Sequence, residues 1–320
     1  MFEIDEKGIR ILGTSFWLDA ERVVPLSFVS HAHADHIRNH KQIIATPETI
    51  SMFELRRKKV DAIPLEYNTP YKMDGATIEL FPSGHILGSA QILIEKDGVR
   101  LVYTGDLNLR TSATAAPAEI READILIIES TFGRPEFVFP KRYLVIEQLV
   151  KFIDKCFARG IAPVILGYSL GKSQEVIKIL GDLDYQISVH SSIYKMLKIY
   201  EQYGISFKNY KLYEGEDLRK RVMVIPPHIK NWLGKRYRGE ICKAVVTGWA
   251  MDPRAKFRYR AHTAIPLSDH AGYDDLIKYV KQVSPQKVFI THGFSDFTHC
   301  LIREGFNAAP LRPSSQISLF

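Results

Sequence analysis

The run "SHAHADHIRNH", residues 30–40, follows the apolar stretch "VVPLSFV" and sets His31, His33, Asp35 and His36 within six positions of a chain that has only 11 histidines. Past a strand, alternate residues share one direction, so His31 and His33 reach the same point. Asp35 and His36 lie in the following turn and face a second point nearby. Imidazole and carboxylate groups are ligands of the zinc or manganese type. Four ligands taken from one turn would strain the backbone, so the pattern predicts two half-sites, each completed from elsewhere in the chain. Whatever this sequence folds into must bring further ligands back to the end of that strand.

The completing residues are expected at other strand ends. His85 in "FPSGHILGSAQ" follows "IELF", Asp106 in "LVYTGDLN" follows "RLVY", and His292 in "KVFITHGF" follows "KVFI". A carboxylate has two oxygens, so Asp106 is able to bridge two ions. This assigns His31, His33, His85 and Asp106 to one metal, and Asp35, His36, Asp106 and His292 to the other. Two divalent ions about 3.5–4 Å apart, sharing a hydroxide and gripping a phosphate, form a hydrolytic centre for in-line displacement. Zinc is the expected metal, with manganese as the alternative. Asp19 in "FWLDA" is a candidate for fixing an imidazole tautomer, or else a turn aspartate.

The surrounding pattern is α/β. With 320 residues, 46% hydrophobic and 25% charged, the chain is long enough for two domains, or for one domain carrying an insertion, and is not globally disordered. Short Ile/Val/Leu-rich runs dominate the first 130 residues ("IRILG", "LSFVS", "QIIAT", "ATIELFP", "SAQILIE", "VRLVYTG", "DILIIES") and read as strands. "KDG" at 96–98 reads as a hairpin turn. "TPETISMFELRRKK" reads as a helix capped by Thr46 with Pro47 in its first turn. From Arg134 the texture changes to a long amphipathic helix ending at Gly160, then alternating strands and helices, as in a parallel α/β unit. The expected organisation is a host made of residues 1–133 and 261–320, interrupted by an insertion domain at 134–260.

Charge follows the same division. The formal net charge is +7, but residues 134–260 hold 24 Lys and Arg against 12 Asp and Glu, whereas the remainder holds 19 against 24. A basic module beside an acid-rich one suits a polyanion binder beside a cation site; a solvated lysine-rich surface gives the same count. The three cysteines, Cys156, Cys242 and Cys300, are far apart in sequence and odd in number, which fits a reducing cytosol better than a disulfide framework. "MFEIDEKGIRILGTSFWLD" has early acidic residues and no long apolar run. The expectation is therefore a cytoplasmic protein without signal peptide, membrane span or membrane partner.

With these residues on the page, the chain resembles the metallo-β-lactamase fold. HxHxDH, the later single His85, the Asp of "TGD" and the late "THG" carry that likeness. "ESTFG" at 129–133, "SDHAG" at 268–272 and "THG" at 291–293 resemble the three extra motifs of its β-CASP nuclease branch, and the basic insertion stands where that branch carries its β-CASP domain. The likeness is nearest to the DNA-ligase-associated exonuclease group, also labelled mRNA 3′-end processing factor-like, and extends over about residues 10 to 310 through "SHAHADH", "ATPET", "SGHILGSAQ", "ESTFGRP", "YSLGKSQ", "TGWAMDPR" and "LSDHAGYDDL". It implies a four-layer αββα sandwich with an inserted α/β β-CASP domain. It implies the same seven metal ligands, and catalytic roles for Asp35, Glu129 and His270. Glu129 would support His270, which would protonate the leaving oxygen as general acid.

The insertion supplies candidate nucleic-acid contacts. "GYSLGKS" is one residue short of a P-loop, since three residues rather than four separate Gly167 from Gly171, so an ATPase is not expected. The same strand–loop–helix layout still directs backbone N–H groups, Ser169 and Lys172 toward an anion such as a nucleic-acid phosphate. "GKRYRG" and "PRAKFRYR" interleave basic and aromatic residues, and Arg254, Arg258 and Arg260 are the favoured contacts. The sequence thus points to metal-dependent phosphodiester hydrolysis, with single-stranded or frayed DNA or RNA held by the basic cap, the cut falling between cap and host, and a DNA ligase or other repair or processing factor as partner. The rivals are a small-molecule hydrolase on the same fold and a non-catalytic subunit of a processing complex.

Overall fold

A strand buried on both faces can carry ligands only at its ends, and this chain is built largely of such strands. The computed structural model describes residues 1–57, 59–229 and 231–311. The described residues divide into two compact units: those of Met1–Thr111, Ala115–Pro135 and 270–311 form one, and those of Glu136–Asp269 with Ser112–Thr114 form the other.

The first unit has two sheets. One holds, in spatial order, Phe2–Asp5, Gly8–Ile11, Trp17–Leu18, Leu26–Phe28, Gln42–Ala45 and Asp61–Pro64. The other holds Ala308–Pro310, Lys287–Gly293, Ile125–Ser130, Val99–Tyr103, Ala90–Lys96, Ala76–Pro82 and Tyr71–Met73. Side-chain alternation sorts each strand between two cores. Leu101, Tyr103, Ile125 and Ile127 enter the core shared with Ile11, Phe28 and Ile44 of the facing sheet. Val102, Leu126 and Ile128 point the other way and pack with Leu276, Val280 and Leu301 of the helices Tyr273–Val283 and Phe297–Arg303. Behind the first sheet, Phe53 of the helix Pro47–Arg56 packs on Val29 and Ile43. The layers are therefore helix, sheet, sheet, helix. The expected cap forms as well: Thr46 accepts from the Thr49 amide at 3.2 Å, with Pro47 opening the helix. The "KDG" turn has Asp97 and Gly98 at φ 52° and 76°, the left-handed pair that a tight hairpin demands.

The second unit is one six-stranded parallel sheet in the order Tyr210–Leu212, Ile187–Val189, Val222–Ile225, Ala162–Leu166, Ile241–Val246, Thr263–Ile265. The helices Arg142–Ala158, Lys172–Asp182 and Ser191–Gln202 cover one face. Tyr213, Leu218 and Leu233 cover the other. This division differs from the expected boundary. Residues 261–269 lie with the insertion, because the crossover from Ile241–Val246 ends only when the chain returns as the parallel edge strand Thr263–Ile265. Ser112–Thr114 join the same unit because Ser112 Oγ, the Ala113 amide and Thr114 Oγ1 all donate to the Glu175 carboxylate, which also pairs with Arg142. Cys156 and Cys242, distant in sequence, adjoin as free thiols; burial first, then the facing Cys242, pushes Cys156 up to about 12.

His40, the last histidine of the run at 30–40, is buried. Its Nδ1 accepts from the Val24 amide at 3.3 Å, and its Nε2 has no hydrogen-bond partner among the described residues. Burial lowers its pKa from the ordinary 6.5 to about 4. The unfolded chain takes up this proton at a higher pH than the folded one, so the folded state loses stability as pH falls from about 6.5 toward 4. His40→Asn keeps an acceptor for Val24 and is expected to remove about 1–3 kcal/mol of that acid-side loss, read from urea midpoints at about pH 7 and about pH 4.5.

Candidate metal centre

His31 and His33 follow the strand Leu26–Phe28, His85 follows Ala76–Pro82, and Asp106 follows Val99–Tyr103. Left-handed glycines turn two of these strand ends. Gly105 has φ 53°, and a Cβ there would meet Ser30 Cβ at 2.5 Å. Gly84, at φ 79°, would drive a Cβ into the Asn108 carbonyl. Both positions therefore take glycine, for conformation and for space.

The ligand atoms of His31, His33, His85 and Asp106 all lie within 4.8 Å of one another. His33 Nδ1 stands 3.0 Å from His31 Nε2 and 3.0 Å from His85 Nε2. Asp106 Oδ2 is 3.3 Å from His31 Nε2 and 3.5 Å from His85 Nε2. The proton inventory shows what this cluster fits. The Ser30 hydroxyl donates to Asp19 Oδ2 at 2.6 Å, so its oxygen accepts from His31 Nδ1 at 3.0 Å. Neutral His31 then presents a bare Nε2 lone pair. A single proton on His33 Nδ1 cannot satisfy two flanking nitrogens. Three imidazoles and one carboxylate converging in this way are a donor set for a zinc-type cation.

Asp19, left open between two roles, is the hub of this network. Its carboxylate accepts from the Ser30 amide at 2.7 Å, from Ser30 Oγ, from Tyr103 Oη at 2.8 Å and from His36 Nδ1 at 2.8 Å. That leaves His36 Nε2 3.5 Å from Asp106 Oδ1, the second oxygen of the shared carboxylate. Burial opposes charge on His36, but Asp106 and Asp19 outweigh it and raise its pKa to about 10. Burial likewise works against ionised Asp106, yet His36 and His31 hold it well below the usual carboxylate range. Burial first, then His36, keeps His31 well below 6.5. The other members of the second half-site are set more openly. The His292 ring lies 5.1 Å from that of His36, on an exposed residue at φ 44°, and Asp35 is exposed.

Beside the cluster, His270 Nδ1 lies 3.0 Å and 3.3 Å from the two oxygens of Glu129. Glu129 is fully buried and also accepts from the amides of Leu107 at 2.7 Å and Thr131 at 3.2 Å. His270 Nε2 is 4.0 Å from Asp106 Oδ2. Ser30 and Tyr103 are contributors that sequence reasoning passed over. Ser30 abuts the histidine run, which was an available signal; Tyr103 looks in sequence like any core aromatic.

The nucleic-acid candidates are placed differently from one another. Lys172 is buried, with Nζ 2.7 Å from Asp269 Oδ1 and 2.7 Å from the Leu267 carbonyl, so its charge is neutralised inside the second unit and does not face an incoming phosphate as expected. A lysine at the start of a helix reads as anion-facing only while its acidic partner, 97 residues on in sequence, is unseen. Ser169 is half-buried, and its carbonyl accepts from Gln174 Nε2 at 3.1 Å. Arg254, Arg258 and Arg260 are exposed; Arg254 pairs with Asp252, whereas Arg258 and Arg260 form no ion pair among the described residues.

Residues 18–164 match the Beta-lactamase superfamily domain, and residues 254–301 match the Zn-dependent metallo-hydrolase RNA specificity domain. The chain belongs to the metallo-β-lactamase superfamily, in its β-CASP branch. It is 37% identical over 319 residues to the "Probable DNA ligase" of Opitutus terrae, a match covering 98% of this chain and 31% of that one. The chain thus spans under a third of that relative's length. It is 25% identical to the "RNase J-like protein" of Methanocaldococcus jannaschii, covering 85% and 82% of the two chains. A crystal structure of a protein of unknown function from Enterococcus faecalis V583 shares the fold, with a TM-score of 0.59, 15% identity and coverage of 90% and 79%. As a β-CASP protein the chain falls in a zinc-dependent metallo-hydrolase family, and its His/Asp cluster is able to hold metal. Among the described residues no helix is long and apolar enough to cross a membrane.

Asp19→Asn keeps the shape of the hub and removes its charge. Zinc affinity, measured by competition with a chelating dye, is expected to fall roughly 10- to 100-fold in this variant.

Proposed function

We propose that this β-CASP protein is a metal-dependent nuclease that hydrolyses phosphodiester bonds of single-stranded or frayed nucleic acid. The observation that carries the reading is the buried Asp106 carboxylate, which faces His31 and His85 through one oxygen and His36 through the other. His31, His33, His85 and Asp106 would hold one divalent ion, and Asp35, His36, Asp106 and His292 a second, zinc or else manganese. When bound, such ions supply Lewis acidity that activates water and offsets phosphate charge.

The chain's own groups then handle the proton. Glu129, fixed by the Leu107 and Thr131 amides, accepts from His270 Nδ1 and orients the ring. His270 Nε2 is thereby the atom that gives its proton to the leaving sugar oxygen, a poor leaving group without one. The basic residues 134–260 hold the polynucleotide backbone, with Arg258 and Arg260 as its contacts. We assign the second unit, Glu136–Asp269, as the β-CASP domain. The ligase-named relative, 31% of which this chain matches, supports work beside a DNA ligase; we assign that work to the cytoplasm.

The test uses end-labelled single- and double-stranded DNA and RNA with zinc or manganese, product lengths being followed over time. Asp106→Ala is expected to reduce cleavage to background; full activity in that variant rejects the proposal. His270→Ala is expected to slow cleavage of a natural strand roughly 10²- to 10⁴-fold, and to slow a p-nitrophenyl phosphodiester much less, because nitrophenolate leaves without a proton.

A further inference from the structure

In an open parallel sheet, ligands bind outside the carboxyl ends of two neighbouring strands whose onward connections depart in opposite directions. The second unit has two such places, Ile187–Val189 beside Val222–Ile225 and Ala162–Leu166 beside Ile241–Val246, and the second carries exposed rings. After Ala162–Leu166 the chain runs through the helix Lys172–Asp182 toward Ile187–Val189, on one side of the sheet. After the adjacent Ile241–Val246 it runs toward Thr263–Ile265, at the opposite edge. The loops 167–171 and 247–262 flank the crevice between these exits.

Aromatic and cationic groups from both loops meet there. Tyr168 Oη lies 3.3 Å from Tyr259 Oη. Tyr168 is 47% exposed, although its loop backbone is fixed: Ser173 Oγ donates to the Gly167 carbonyl at 3.1 Å, the Ser173 amide to the Tyr168 carbonyl at 3.2 Å, and Gln174 Nε2 to the Ser169 carbonyl at 3.1 Å. Arg258, adjacent in sequence to Tyr259, acts electrostatically on Tyr168, and Phe257 beside it is 71% exposed. Large rings of this kind are ordinarily covered. A half-exposed ring on a pinned loop, next to a guanidinium that forms no ion pair among the described residues, has the make-up of a stacking platform with a phosphate contact.

We infer that Tyr168, braced by Tyr259 and flanked by Arg258, stacks an unpaired base of the bound strand at the switch point between Ala162–Leu166 and Ile241–Val246. This rests on the nuclease reading and specifies its substrate as a strand with bases turned out. A ring pairs with any base face, so the contact selects single-stranded over duplex form without reading sequence. The basic composition of residues 134–260 favours a polynucleotide over an apolar or cationic partner.

The test measures binding of short phosphorothioate oligonucleotides, which resist cleavage, to the full metal-loaded chain by fluorescence anisotropy. DNA and 2′-O-methyl RNA form separate arms, each with normal and abasic strands. Wild type is expected to prefer the normal strand over the abasic one. Tyr168→Ala should weaken normal-strand binding roughly 5- to 100-fold and erase that preference. Tyr168→Phe should keep the preference, and Arg258→Ala should lower the salt dependence by about one phosphate contact while leaving the base preference in place. Tyr168→Leu, which retains an apolar side chain in case the alanine variant does not fold, should behave like Tyr168→Ala. Equal binding of normal and abasic strands by wild type, or an unchanged preference in the alanine or leucine variant, overturns the stacking site. Wild-type hydrolysis of a p-nitrophenyl phosphodiester, followed in parallel, tells the two failures apart. Its absence with zinc and with manganese counts against the nuclease reading, whereas its presence beside an unchanged base preference sinks only the stacking site.

Discussion

Three imidazole nitrogens held 3.0 Å apart beside a buried carboxylate cannot all be satisfied by one another's protons, a conflict that a cation among them relieves, and much of the first unit works to maintain that arrangement. The candidate ligands leave strands whose two faces are packed into separate cores, so no strand end can slide without disturbing both. Gly84 and Gly105 turn the chain where any side chain would collide. The ligand geometry is thereby set by the packing of the sandwich and by backbone turns, with little left to side-chain freedom.

Two carboxylates repeat one solution on either side of Asp106. Asp19 takes the Nδ1 proton of His36, and Glu129 takes that of His270. Each carboxylate is itself pinned by amide or hydroxyl donors, so each fixes a ring orientation and a tautomer. Exposure separates the two rings. His36 is buried against Asp106, and Asp106 and Asp19 raise its pKa to about 10, so a cation binding at its Nε2 must displace a proton. His270 is part-exposed and able to meet a substrate atom. The same pairing thus recurs on one buried ring and one part-exposed ring.

In the second unit, location matters more than count. Lys172 and Arg142 contribute to the basic total, yet their charges are matched by Asp269 and Glu175. Arg258 and Arg260 keep theirs at the surface. A composition-level excess of lysine and arginine therefore describes the field around the unit, and the individual contacts depend on which cations the fold has already paired.

The strands at 76–82, 90–96, 99–103 and 125–130, the helix opened by Thr46 and Pro47, and the change of texture near Arg134 were all readable in the sequence. Periodicity, turn residues and caps act between near neighbours, so they are written locally. The convergence of His31, His33, His85 and Asp106 was readable as well, because a ligand placed just past an apolar strand has one place to go. The tertiary structure alone decided that Asp19 binds His36 and not merely a turn, that Tyr103 reaches into the network, that Lys172 is spent on Asp269, and that residues 261–269 complete the insertion's sheet. Each of these joins residues far apart in sequence, and which strand ends and loops meet is fixed by sheet order and packing, which no local pattern of residue types specifies.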